Sequence, residues 1–183
     1  MGLGNKISRL RVLELCCLIP KIPTDSKTLI MSKTPETAPA SIRYHQPDQD
    51  RFHAIHAEDI EWKPFPAFPP DARVAILVGD PGEPGPYVIR VKLPAGTKMM
   101  PHKHPEDRIY TVMSGVFYIG LGDVFDESKL TAYAPGSVVV LPGDQPHYHW
   151  AKSGEYITQV TAIGPLGLHY IDPRNDPRNS AKP

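Results

Sequence analysis

The 183-residue chain carries 20 Lys+Arg against 20 Asp+Glu, a formal net charge of zero, with 22 prolines and 2 cysteines. That balance leaves no electrostatic footprint for nucleic acid or an anionic membrane surface, and no run of 18 or more apolar residues could span a bilayer as a helix. The prolines argue against long helices, and the adjacent Cys16 and Cys17 cannot found a disulfide framework.

In chain order, "MGLGNKISRLRVLELCCLIP" opens with basic residues followed by an apolar run, a faint echo of a secretory signal. Glu14 interrupts that run, and no clear small-residue cleavage site follows. Lys6 stands where a myristoylation site wants Ser or Thr. Met31 opens "MSKTPETAPASIRYH", which reads as an ordinary soluble N-terminus. Residues 1–30 are therefore expected to be dispensable to the fold, in a cytoplasmic protein. Residues 1–50 as a whole read as a flexible extension, because they lack periodicity and "SKTPETAPAS" has a disordered composition.

The segment 61–72, "EWKPFPAFPPDA", is proline-rich and reads as extended chain laid over a surface. Short apolar runs then alternate with turn signals: 73–79, 87–93, 108–115, 116–122, 137–141, 147–151 and 156–163. In "YVIRVKL" Tyr87, Ile89, Val91 and Leu93 share one face, with Arg90 and Lys92 on the other. Many short strands and no long helix predict an all-β sandwich or barrel over residues 51–173. The tail 174–183, "RNDPRNSAKP", is polar and proline-rich and is expected to fray.

His102 and His104 lie two apart, so in a strand they project together. His147 follows a turn built on Pro142, Gly143 and Asp144. If neighbouring strands bring it against the first pair, three imidazole nitrogens converge on one point. Such a set holds Fe²⁺, Zn²⁺, Mn²⁺ or Ni²⁺ and leaves coordination positions open. The alternative is polar surface residues that bind nothing.

These stretches resemble the two motifs of the cupin superfamily. Gly96, His102, His104 and Gly115 fall in register on the first motif, and Gly136, Pro142 and His147 on the second. Asp144 replaces that motif's last glycine and Ala151 its usual asparagine. The region between the motifs, 116–135, has a length normal for small cupins, and the similarity covers roughly residues 73–165. The resemblance extends to a branch of small single-domain bacterial cupins. It implies a double-stranded β-helix, a jelly-roll-like barrel of two antiparallel sheets with the metal inside. It also implies a homodimer, for which segment 61–72 and the N-terminal arm are the expected means.

The acidic ligand of the family would fall at Arg108. Arginine offers no lone pair to a metal. A guanidinium about 5 Å from a divalent ion would be repelled by about 7 kcal/mol at an effective dielectric of 20. Three arrangements relieve this. Glu106 could supply the carboxylate from a shifted position, or an anionic substrate could sit between metal and Arg108. In the favoured arrangement Arg108 turns outward and pairs with Glu106 or Asp107 in solvent, leaving a pure three-histidine site.

His149 shares parity with His147 and reads either as a rim histidine or as a fourth ligand or proton shuttle. Gln159 interrupts an apolar strand and either projects an amide into the pocket or faces outward. Tyr110 and Tyr118 are candidate pocket donors or wall aromatics. Met99 and Met100 are expected to pack the cavity wall, and His53 and His56 to be plain surface residues. Arg108, Tyr110 and Gln159 form the candidate catalytic set.

The resulting expectation is a metal-dependent cupin enzyme, a dioxygenase acting on a small organic molecule with Fe²⁺ at His102, His104 and His147. The alternatives are a metal-dependent isomerase or lyase and a non-catalytic sensing module similar to the zinc-binding cupin half of some anti-sigma factors. No Ser-His-Asp order, phosphate-cradling loop or CxxC pair supports hydrolase, nucleotide or thiol-redox chemistry.

Overall fold

The computed structural model describes residues 49–180, all within the compact unit Ile42–Pro183. The expectations for residues 1–30, Cys16, Cys17 and most of the 1–50 extension lie outside the described residues. Among those described, no helix is long and apolar enough to cross a membrane.

Among the described residues, ten strands form two five-stranded antiparallel sheets. The strands are β1 (Arg73–Val78), β2 (Gly85–Leu93), β3 (Lys98–Lys103), β4 (Arg108–Ser114), β5 (Phe117–Leu121), β6 (Thr131–Tyr133), β7 (Val138–Leu141), β8 (His147–Trp150), β9 (Tyr156–Gly164) and β10 (His169–Tyr170). One sheet runs β1-β2-β9-β4-β7 and the other β10-β3-β8-β5-β6. The expected all-β double-sheet architecture is the one observed.

Period-two patterning builds the core. Tyr87, Ile89, Val91 and Leu93 of β2 are buried, as their shared parity requires, and face the same side as Tyr156, Thr158, Val160 and Ala162 of β9. Tyr110 and Val112 of β4 add to this layer, and Phe117 and Ile119 of β5 come from the other sheet. Each large apolar side chain withdrawn from water in this way contributes about 1.5–3 kcal/mol. Gly115, between β4 and β5, holds a φ of +69°, and a Cβ there would lie 2.1 Å from the Glu155 carbonyl oxygen. Only glycine fits that turn.

Segment 61–72 differs from a strap lying on a surface. Its phenylalanines turn inward, with Ala67, Phe68 and Ala72 buried and Phe65 packed edge-on against Phe68, while Trp62 lies under the Lys92 ammonium. Its one strand-like contact is the Lys63–Val74 bridge. The proline spacing hid this, because extended chain without ladder bonds leaves its side chains free to dip into the barrel.

Residues 173–180 are more ordered than the composition of the tail suggested. Pro173–Asn175 forms a 3-10 turn and Pro177–Ser180 a short helix. The repeated Asp-Pro supplies the reason: Asp172 and Asp176 accept from the backbone N–H groups of Arg174 and Arg178, and proline suits the position that follows a cap. Arg178 also donates to the Leu168 carbonyl.

Candidate metal centre

His102 and His104 come from the end of β3. Pro101 has no N–H for a ladder, and it sits where the β3–β8 register shifts between Met99 and His102. A bulge is where a strand tolerates proline. His102 is 1 % exposed and His104, just past the strand, 3 %. His147 opens β8, directly paired with His102, and is fully buried.

The turn before β8 brings His147 towards His104. Asp144 has a φ of +57°, a left-handed conformation that aspartate adopts more readily than most residues, so it performs the backbone role of the missing motif glycine. Its N–H donates to the His104 carbonyl at 2.6 Å, and its carboxylate pairs with Lys103 at 2.9 Å. The Gly143 N–H donates to Asp107 Oδ1 at 2.6 Å.

The three histidines each offer one ring nitrogen, and those atoms lie within 4.8 Å of one another. Ring centroids are 4.3 Å apart for His102–His147, 5.0 Å for His102–His104 and 5.3 Å for His104–His147. Each Nδ1 is matched to a backbone carbonyl: Met100 for His102 (2.8 Å), Gln145 for His147 (2.9 Å) and Gly167 for His104 (2.5 Å). A carbonyl can only accept, so Nδ1 carries the proton and Nε2 keeps its lone pair. Among the described residues, Nε2 of His102 and of His147 is buried without a hydrogen-bond partner. Burial holds His102 and His104 well below the usual histidine range and lowers His147 to about 4. Neutral imidazoles with buried, idle lone pairs fit a divalent ion.

Arg108 corrects the favoured expectation. It does not turn outward. It is 1 % exposed and faces inward, because β4 alternates and Arg108 shares parity with the buried Tyr110 and Val112. Its partner is Glu106, as in the arrangement foreseen for solvent, but the pair is closed inside the protein. Arg108 Nη2 and Nε donate to Glu106 Oε1 at 2.6 and 3.0 Å. Tyr87 donates to the same oxygen at 3.0 Å, and the Gly167 N–H donates to Oε2 at 3.1 Å. Burial opposes the charge of Arg108, but Tyr110, Tyr87 and Glu106 outweigh it and its pKa rises. The pair is neutral as a unit, which relieves the repulsion that a lone guanidinium would impose on an ion. Glu106 lies outside the three-histidine group, with both oxygens occupied.

Gln159 is the second correction. It occupies the outward parity of β9 between buried Thr158 and Val160, and its Oε1 accepts from Arg90 Nε at 3.2 Å. Thr158 takes the inward place. Tyr110 is inside, 2 % exposed, with a hydroxyl that has no hydrogen-bond partner among the described residues. Burial pushes its pKa up, against the cation of Arg108. Tyr118 stands on the half-buried parity of β5, opposite Trp150. His149 is buried beside the cluster, with centroids 5.1 Å from His147 and 5.4 Å from His102, but lies outside the converging group. Its Nδ1 is 3.4 Å from the Tyr156 hydroxyl. Met99 is buried, whereas Met100 is half-buried and contributes its carbonyl. His53 and His56 are exposed.

Beside the histidines lies a small cavity with about 10 Å³ open to the centre of a water molecule. It is lined by His102, His104, Arg108, Tyr110 and His149, with Phe68, Val91, Met99 and Thr158. Phe68, Thr158 and Gly167 were not singled out in the sequence, and Tyr87 was read only as part of a strand face. The parity of 156–163 could have marked Thr158; no local signal marked Phe68 or Gly167. A larger groove of about 440 Å³ between Leu121, Tyr133 and Val140 has none of these histidines in its walls.

Two antiparallel sheets enclosing convergent imidazoles form a barrel of the cupin type, whose histidine group is compatible with a divalent metal ion. Residues 50–138 match the family model described as "ChrR Cupin-like domain", and the double-sheet fold is that of cupins. That stretch contains His102 and His104 and ends before His147. Among solved structures, the polyketide cyclase RemF from Streptomyces resistomycificus is 16% identical, with 70% of this chain and 92% of that one covered at a TM-score of 0.58. An RmlC-like cupin protein from Ralstonia eutropha is 23% identical, with 68% and 74% covered at a TM-score of 0.51. At these identities the likeness concerns the fold. No curated protein sequence matches the chain.

Proposed function

We propose that this chain is a metal-dependent cupin enzyme, a dioxygenase acting on a small organic substrate, with Fe²⁺ held by His102, His104 and His147. The observation that carries the reading is the set of neutral rings with Nδ1 committed to carbonyls and buried Nε2 atoms on His102 and His147 left without partners. When bound, the ion supplies Lewis-acid and redox chemistry and open positions for dioxygen and a substrate oxygen. Tyr110 offers a free hydroxyl that can donate to a polar atom of a bound molecule. Phe68, Val91 and Met99 exclude bulk water from the same space. The closed Glu106–Arg108 pair keeps that interior neutral and leaves Arg108 only Nη1 for any further contact.

A second reading is a metal- or ligand-sensing module. It is favoured by the match to a ChrR Cupin-like domain and by the cavity, whose 10 Å³ is far below the roughly 300–1,000 Å³ of typical small-molecule sites. Elemental analysis followed by oxygen uptake with the Fe²⁺-loaded protein, against a panel of diketones, thiols and phenols, separates the two. Iron with substrate-dependent uptake supports the dioxygenase. Tightly held zinc with no turnover on any substrate refutes it in favour of the sensor.

A further inference from the structure

We propose that Glu106 and Arg108 act together as positioning residues for His104, through the peptide of Gly167. His102 and His147 each lean on a carbonyl two residues upstream, so their own strands orient them. His104 leans on the Gly167 carbonyl, 63 residues away, so its orientation depends on where the β9–β10 loop sits. That loop is fixed at the same residue from two sides. The Gly167 N–H donates to Glu106 Oε2, and a Cβ at Gly167 would come within 2.6 Å of the Pro105 ring. Glu106 is in turn gripped by Arg108 and Tyr87 through its other oxygen.

A continuous path follows, from guanidinium to carboxylate to peptide to imidazole. Arginine at the position of the expected acidic ligand here holds an acid two residues earlier, and that acid holds the peptide that orients a ring. Supports of this kind fix the tautomer and direction of a ligand histidine, and losing one costs about 10–100-fold in metal affinity. The inference rests on the three-histidine reading above.

The test uses the full chain with Glu106→Gln, Gly167→Ala and the double variant Glu106→Gln with Arg108→Met, which leaves no buried charge unpaired. Zn²⁺ affinity is measured by competition with a chromophoric chelator, in the wild-type background and in His104→Ala. Each variant is expected to weaken Zn²⁺ about 10–100-fold when His104 is present and less than about twofold when it is absent. Equal weakening in both backgrounds, or none in either, overturns the proposal.

A metal-free readout keeps it separate from the site reading. Ring ¹⁵N shifts of His104 are expected to report Nδ1–H in the wild type and a mixed tautomer in the variants, and an unchanged tautomer overturns the proposal. If the wild type takes up no Zn²⁺ while the tautomer still changes in the variants, positioning stands and the metal reading fails.

Discussion

Acid should unfold the metal-free protein well before its carboxylates titrate, because four imidazoles are buried around one point. His147 falls from the ordinary 6.5 to about 4, chiefly through burial. His102, His104 and His149 are lowered in the same direction, with burial the leading cause. Above pH 6.5 both folded and unfolded chains hold these rings neutral, and nothing is gained or lost. Below it the unfolded chain takes up protons that the folded chain refuses, so stability falls as pH falls and continues to fall until the folded rings protonate. For His147 alone the full loss, complete near pH 4, is on the order of 3 kcal/mol. At pH 5.5 His147 alone would lose about 1.4 kcal/mol, and His102, His104 and His149 add to the loss in the same direction. Urea unfolding at steps from pH 7.5 to 5.5 reads this directly, as a falling midpoint at constant m. His147→Gln should reduce the slope by about one proton. Stability flat within about 1 kcal/mol over that range, or a slope untouched by His147→Gln, would refute the buried-neutral account.

Glu106→Ala strands a buried guanidinium and should cost about 3–5 kcal/mol by chemical denaturation, most of it regained when Arg108→Met is added. Gly115→Ala should lower the melting temperature strongly, since its Cβ meets the Glu155 carbonyl in a left-handed turn, whereas Gln159→Ala on the outer face should leave both melting and metal affinity close to wild type. Removing bound metal with a chelator should lower the melting temperature, and re-addition should restore it in proportion to the logarithm of free metal, as differential scanning fluorimetry would show.

Much of the double-sheet plan was legible because its signal is short-range. Clean alternation in 87–93 declares which residues face inward, and the two histidine motifs declare where imidazoles meet. The direction of Arg108 was legible by the same rule, since it shares parity with Tyr110 and Val112, but the chemical expectation that a cation avoids a metal site overrode the geometry. What resolves that conflict is not local: Glu106 meets Gly167, and Phe68 reaches the cavity, across distances that no period records. Gln159 shows the opposite limit. A polar residue in an apolar strand draws attention to the pocket, yet its parity and Arg90 place it outside.

The most direct test is the metal stoichiometry of the purified chain, measured alongside single His102→Ala, His104→Ala and His147→Ala variants after loading with Fe²⁺ or Zn²⁺. Convergence of the three rings predicts one tightly held ion per wild-type chain and a large loss of affinity in every variant. A wild-type chain that stays metal-free after loading, or full retention in His147→Ala, would contradict it.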